Sequence, residues 1–159
     1  MTRVAAIDCG TNSIRLLVAD ATVGEDGRPC LADLTRQMRI VRLGQGVDAR
    51  GYLDPAAIER TVEATVEYQR MIEKLGATRT RFVATSATRD ASNSAEFVRQ
   101  IQAVIGVEPE VVVGTQEASL SFSGAVGGLG EGVSAPMLVV DIGGGSTELV
   151  LGSTSVKQA

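Results

Sequence analysis

Apolar residues fall in short runs near both ends of the chain and recur at three- and four-residue spacing between them. Residues 4–7 are an unbroken apolar run that ends at Asp8, as a buried strand does. Cys9, Gly10, Thr11, Asn12 and Ser13 carry turn chemistry, and residues 14–19 are apolar again apart from Arg15. Strand, tight turn and strand predict a hairpin. Residues 22–30 hold Gly24, Gly27, Pro29 and three charges, which predicts an exposed loop. Met38, Ile40, Val41 and Leu43 mark a third strand over 35–43, stopped by Gly44, Gln45 and Gly46.

Asp54 and Pro55 are a strong helix start, an N-cap carboxylate followed by proline at the first helical position. Ile58, Val62, Thr65, Val66, Gln69, Ile72 and Leu75 repeat every three or four residues, and Gly76 supplies the stop. That stripe predicts a helix over 55–75. After a short strand at 82–85, Ser92 to Ser94 offer caps for a helix over 94–105, closed by Gly106. A strand at 110–113 leads to a third helix over 115–127, with Thr115 as its cap. Four glycines between 127 and 136 mark a boundary. Strands at 137–142 and 147–151 flank Gly143, Gly144 and Gly145.

Three meandering strands followed by alternating helix and strand do not begin a doubly wound nucleotide fold. The order predicts an α/β protein, an actin-like (ribonuclease-H-like) lobe with a mixed five-stranded sheet, plus the opening strands of a second lobe. The expected division is 1–133 for the first lobe and 134–159 for the first hairpin of an incomplete second one. The two hairpins echo each other. Each reads apolar strand, Asp, a small or apolar residue, Gly and then a hydroxyl residue, around Asp8 and around Asp141.

Composition removes several functions. No His is present, which excludes Ser-His-Asp hydrolysis and histidine-ligated zinc within this chain. Aromatic residues are 3% with no Trp, too few for a stacking platform for single-stranded nucleic acid. The net charge of -4 argues against nucleic-acid or anionic-membrane partners. Two cysteines, Cys9 and Cys30, suit a reducing compartment, no apolar run reaches the ~18 residues of a membrane span, and the first residues read as a strand rather than a leader. The cytoplasm is the expected location. Residues 110–159 hold five acidic side chains against Lys157 alone, so the whole negative excess lies in the last third. Those carboxylates need solvent or a cation.

An Asp that closes a buried strand before Gly and a hydroxyl residue suits phosphate chemistry. The turn exposes consecutive N–H groups, and glycine lets a phosphate approach the backbone. The Asp itself is too negative to touch phosphate, so its useful roles are to hold a water or a divalent cation. Glu117, in the first turn of a helix, can orient and deprotonate a water, with the helix dipole expected to lower its pKa. Arg89, after a strand, can clamp phosphate oxygens, and Arg39 and Arg42 are further candidates.

The segments DCGTNS at 8–13 and DIGGGSTE at 141–148 resemble the two phosphate-binding hairpins of the actin, heat-shock ATPase and sugar-kinase superfamily. The wording is most similar to the Ppx/GppA branch, the exopolyphosphatases and guanosine pentaphosphate phosphohydrolases. RLGQGVD at 42–48, ATSATRDASN at 84–93 and GTQEA at 114–118 resemble that family's blocks in family order. Gln116 stands where the family often has an acid, and Ser119 where it often has an Arg. The resemblance implies a hydrolase that releases terminal orthophosphate from inorganic polyphosphate or converts guanosine pentaphosphate to tetraphosphate. It implies Glu117 as the catalytic base and Arg89 as its catalytic companion. Asp8, Gly10, Thr11, Asn12, Ser13 and Arg42 would bind phosphate on one side, and Gly143, Gly144, Gly145, Ser146 and Thr147 on the other. Asp141 and Glu148 would hold Mg²⁺ or another divalent cation.

Family members resemble two-lobed proteins about twice this length, homodimeric at full length, so this chain is expected to be part of the active unit and inactive alone. Two other readings stay open: an ATP-binding ATPase or kinase of the same superfamily, for which both hairpins serve equally well, and a non-catalytic fragment.

Overall fold

The computed structural model describes residues 1–24, 27, 29–129, 134–153 and 156–158. Strands β1 (Thr2–Cys9), β2 (Ser13–Val23) and β3 (Pro29–Ile40) form a meander, followed by the short helix α1 (Val47–Arg50) and the long helix α2 (Pro55–Leu75). Then come β4 (Arg79–Ala84), α3 (Ser86–Arg89), α4 (Ser94–Ile105), β5 (Glu110–Val111) and α5 (Gly114–Gly127). A second sheet follows, from β6 (Met137–Ile142), β7 (Thr147–Gly152) and β8 (Val156–Gln158).

The first sheet runs β3-β2-β1-β4-β5, antiparallel across the meander and parallel from β1 to β4 and β4 to β5. It is the mixed five-stranded sheet that the element order predicts. β1 lies at its centre, and strand alternation gives it two unlike faces. Ala5, Ile7 and Cys9 are buried with Ile14, Leu16 and Val18 of β2 and Phe82 of β4, in one core with Tyr68 of α2 and Phe97 and Ile101 of α4. Ala6, Asp8, Arg15 and Leu17 alternate with them and line an open cleft instead.

Helix α2 keeps its predicted bounds. Asp54 accepts from the Ala56 N–H at 3.0 Å, Pro55 opens the first turn, and Gly76 closes the helix at φ 71°. Its buried stripe is rotated from the sequence expectation and runs through Ala57, Ile58, Thr61, Ala64, Thr65, Tyr68 and Ile72. The threonines tolerate burial because each hydroxyl donates to the carbonyl four residues earlier, at 2.8 Å. Tyr68 does so because its hydroxyl donates to the Ile14 carbonyl at 3.0 Å. Helix α4 also keeps its bounds, but its cap does not act as a cap. The Asn93 side chain accepts from the Leu53 N–H and donates to the Leu53 carbonyl, tying two loops together.

Several expectations shift: β4 spans Arg79–Ala84 rather than 82–85, and β5 ends at Val111 rather than 113. The loop at 22–30 is shorter, since β2 runs to Val23 and β3 starts at Pro29; Glu25, Asp26 and Arg28 lie outside the described residues. β3 stops at Ile40 rather than 43, because Val41 and Arg42 turn their N–H groups onto the Asn12 carbonyl, and Arg42 takes φ 51°. Thr115 caps nothing: α5 begins at Gly114 after Val113. Helix α5, placed with the first lobe by its order, packs Ala118 and Phe122 on Val150, Met137 and Val139 of the second sheet. No helix among the described residues is long and apolar enough to cross a membrane.

Candidate active site

Two turns of the same construction meet at the mouth of the cleft. In the first, the Gly10 N–H donates to the Ser13 carbonyl at 3.0 Å; in the second, the Gly143 N–H donates to the Ser146 carbonyl at 2.9 Å. Both are Gly-x-x-Ser, each two residues after an Asp. The middle pair is Thr11-Asn12 in one and Gly144-Gly145 in the other, and the difference is what lets the turns touch. A Cβ on Gly144 would stand 2.5 Å from Asn12 Nδ2, and one on Gly145 would stand 2.7 Å from Thr11 Oγ1 and 2.9 Å from Ser86 Oγ. Thr11 Oγ1 and Ser86 Oγ are hydrogen-bonded at 2.9 Å beneath that contact. On its far side Thr11 is backed by Gly44, where a Cβ would meet Thr11 Cγ2 at 2.3 Å.

The cleft has a volume of about 1000 Å³. Asp8, Gly10, Thr11, Asn12, Ser13, Glu117, Asp141, Gly143, Gly144 and Ser146 all line it, so most of the residues expected from sequence come together. Register sets the partners of the two Asp residues. Asp8 sits opposite Arg15 across its hairpin, with Arg15 Nη1 3.9 Å from Asp8 Oδ2. Asp141 sits opposite Glu148. One hairpin therefore sets a cation opposite its carboxylate, and the other a second carboxylate.

Glu117 stands in the first turn of α5, its side chain 17% exposed, and its Oε2 atom is buried without a hydrogen-bond partner. Arg89 Nη1 lies 3.5 Å from that oxygen, an ion-pair distance too long for a hydrogen bond. Burial, then the nearby Glu148 charge, pushes the Glu117 carboxyl above its ordinary value, with Arg89 opposing. The expected lowering by the helix dipole is outweighed: loss of water and like charge dominate at this site. Asp8 is also raised, by desolvation, with Arg15 lowering it and Asp141 raising it further. Cys9 is fully buried, and burial pushes its thiol far up, so it serves as an inert core side chain.

The arginines divide. Arg89 donates to the Val112 carbonyl at 3.2 Å and to Asp90 at 3.2 Å, and it lies beside Glu117 without lining the cleft. Its contacts are with Val112, Asp90 and Glu117, at the edge of the cleft rather than on its lining. Arg39 pairs with Glu67 of α2 on the protein's exterior. Arg42 lines a second, smaller cavity of about 190 Å³ behind the meeting point of the turns. Thr147 and Glu148 occupy β7, the strand leaving the second turn.

The donor set fits Mg²⁺ in one particular way. Among the described residues no three His, Cys, Asp or Glu side chains are grouped as a cage. Mg²⁺ needs none, because it keeps several waters and binds through one or two carboxylates plus substrate phosphates. The facing pair Asp141 and Glu148, with Asp141 on the cleft lining, has the carboxylate part of that composition.

Two contributors escaped sequence reasoning. Arg15 reads only as an interruption of an apolar strand; counting register outward from the Gly10–Ser13 turn places it opposite Asp8. Ser86 reads as loop, and no four-residue helix such as α3 leaves a visible period.

The sequence matches the Ppx/GppA phosphatase family over residues 17–159. Exopolyphosphatase 2 of Mycobacterium tuberculosis is 53% identical over an alignment of 161 residues, covering 98% of this chain and 50% of that protein. The crystal structure of the Aquifex aeolicus Ppx/GppA family member superposes with a TM-score of 0.81 at 34% identity, over 99% of this chain and 49% of that one. An exopolyphosphatase from Cytophaga hutchinsonii gives a TM-score of 0.84 at 27% identity, over 99% and 49%. The chain spans about half the length of these relatives.

Proposed function

The chain belongs to the Ppx/GppA phosphatase family, and from that premise we propose that it supplies the phosphate turns, the cation carboxylates and the general base of an exopolyphosphatase. The substrate is the end of an inorganic polyphosphate chain; the same chemistry converts guanosine pentaphosphate to tetraphosphate. The observation that carries the reading is convergence: both Gly-x-x-Ser turns, Asp141 and a buried Glu117 line one cleft.

Gly10, Thr11, Asn12 and Ser13 grip the terminal phosphoryl from one side, and Gly143, Gly144, Gly145, Ser146 and Thr147 from the other. Asp141 and Glu148 would hold Mg²⁺, which when bound would supply positive charge to offset that of the phosphates. Glu117, with its raised carboxyl, accepts the proton of a water as that water's oxygen bonds to the terminal phosphorus. The bridging P–O bond breaks, orthophosphate is freed, and the shortened chain keeps the bridging oxygen. Arg89 fixes the Glu117 carboxylate from behind.

The test is orthophosphate release by a protein that joins this chain to the second half found in its relatives. Glu117→Gln should lower kcat about 10²- to 10⁴-fold with little change in KM, because a base acts mainly in the transition state. Unchanged turnover, or equal losses in affinity and rate, would count against Glu117. The 159-residue chain alone should bind polyphosphate weakly and release almost no phosphate.

A further inference from the structure

The turns meet as a wall, and there is space on both sides of it. Thr11, Asn12, Ser86 and Gly144 line both the main cleft and the cavity of about 190 Å³ behind it. The rear cavity adds Arg42 and Gln45. It shares none of Asp8, Glu117 and Asp141 with the main cleft.

Arg42 is unusual in two ways. It is the one residue other than glycine with positive φ among the described residues, at 51°. Such a conformation costs energy and persists only where its surroundings hold it. Here the Arg42 and Val41 N–H groups both donate to the Asn12 carbonyl, at 2.9 and 3.0 Å, and the Gln45 N–H donates to the Arg42 carbonyl at 3.1 Å. The loop is thus tied to the first phosphate turn. The guanidinium it carries is exposed and has no ion-pair partner among the described residues.

The cavity is rich in donors: the guanidinium, two carboxamides and two hydroxyls. Its acidic neighbours are Asp48 and Asp90, and Asp90 already pairs with Arg89 at 3.2 Å. Its volume equals about six waters, room for one tetrahedral oxyanion with part of its hydration. Its walls come from both turns, so it has this shape only while they touch. A ligand there favours the touching arrangement.

We propose that the rear cavity is a second oxyanion subsite, for a single orthophosphate-class group, centred on Arg42 and separate from the cleft where hydrolysis is placed. This takes from the proposed function only that the turns handle phosphate. The group is either free orthophosphate or the end of a longer chain, and the experiment distinguishes them.

The experiment is ¹H–¹⁵N NMR titration of the 159-residue chain with inorganic phosphate and, separately, with tripolyphosphate plus Mg²⁺. Saturable shifts of the Arg42, Gln45 and Ala87 amides, which belong to residues that line the rear cavity and not the main cleft, are expected. Inorganic phosphate alone producing them identifies free orthophosphate as the ligand; tripolyphosphate alone producing them identifies a chain end. Arg42→Gly should weaken this binding about tenfold or more, the loss of a charge-assisted contact. That variant suits the left-handed backbone and so retains the fold. Asp48→Asn should tighten it, as removal of a like charge does for an anion; weakening instead would show that a hydroxylated or cationic ligand is preferred and would overturn the oxyanion assignment. Shifts confined to Asp8, Glu117 and Asp141 would overturn the subsite and leave the proposed function standing. Shifts confined to Arg42, Gln45 and Ala87 would establish the subsite and leave the proposed function to its own test, and shifts at neither place would overturn the subsite.

Discussion

The two hairpins are built to one pattern and set in different surroundings. The first lies in the middle of the five-stranded sheet, with Ile7, Cys9, Ile14 and Leu16 almost wholly buried. The second belongs to a three-stranded sheet in which Leu138, Val140, Ile142 and Leu149 are exposed and Val150 is the buried anchor. Their cross-strand partners differ as sharply: Arg15 opposite Asp8, Glu148 opposite Asp141. The deeply packed hairpin carries an Asp–Arg pair and the Thr11 and Asn12 side chains that line the cleft. The more exposed one carries glycines that leave room for those side chains and the facing carboxylates Asp141 and Glu148. On the function proposed above, the repeat is a division of labour rather than a duplication.

The largest effect that sharpens this contrast is on stability. Phe82→Ala, in the core under the first hairpin, should cost about 3–5 kcal/mol. Leu149→Ala, on the second sheet's exposed face, should stay within about 0.5 kcal/mol. Urea unfolding of both variants reads the comparison directly, and equal costs would mean that the two hairpins share one core.

Next in size is the fit of the turns. Gly144→Ala puts a methyl against the Asn12 side chain and should cost about 1–3 kcal/mol. Adding Asn12→Gly should recover most of that, since the space returns. A thermodynamic cycle with purely additive costs would show that the turns do not interlock.

A pH effect follows. Because the folded state raises the Glu117 and Asp8 carboxyls, it binds more protons than the unfolded chain between their ordinary values and the raised ones. The contribution of these two groups to stability therefore falls as pH rises from the ordinary carboxylate range through that window, against the opposite contribution of Asp20, Asp54 and Glu110, whose carboxyls are held low by their hydrogen-bond partners. Glu117→Gln should flatten the fall and leave a smaller slope from Asp8. An unchanged slope in denaturation midpoints across pH would contradict the desolvated environment assigned to Glu117.

The smallest effect concerns Arg15. Its pair with Asp8 is long and its side chain is 65% exposed, so Arg15→Ala should cost no more than about 1 kcal/mol. A larger loss on unfolding would mean that Arg15 does more than balance Asp8.

Much of this was legible in the residues. Helices α2 and α4 announce themselves through Asp54, Pro55, Gly76 and Gly106, because caps and stops are local chemistry. The paired hairpins follow from two Asp-x-Gly segments that close apolar runs. What stayed hidden is non-local. That Tyr68 is buried depends on a carbonyl 54 residues away, and that Gly145 must be glycine depends on Thr11 and Ser86 across the cleft. The helix dipole suggested a lowered Glu117 carboxyl, and only the packing around it shows the opposite. Arg39, Arg42 and Arg89 look equivalent as sequence, and the fold sends them to an outer ion pair, a rear cavity and the back of Glu117.

The division of labour is tested most directly by the Mg²⁺ dependence of tripolyphosphate binding, measured by calorimetry on the chain and on its Asp141→Asn, Glu148→Gln double variant. Mg²⁺ is expected to strengthen binding by the original chain, and the double variant to lose this dependence while binding the metal-free anion slightly better, since two like charges are gone. A double variant that keeps the full response to Mg²⁺ would contradict it.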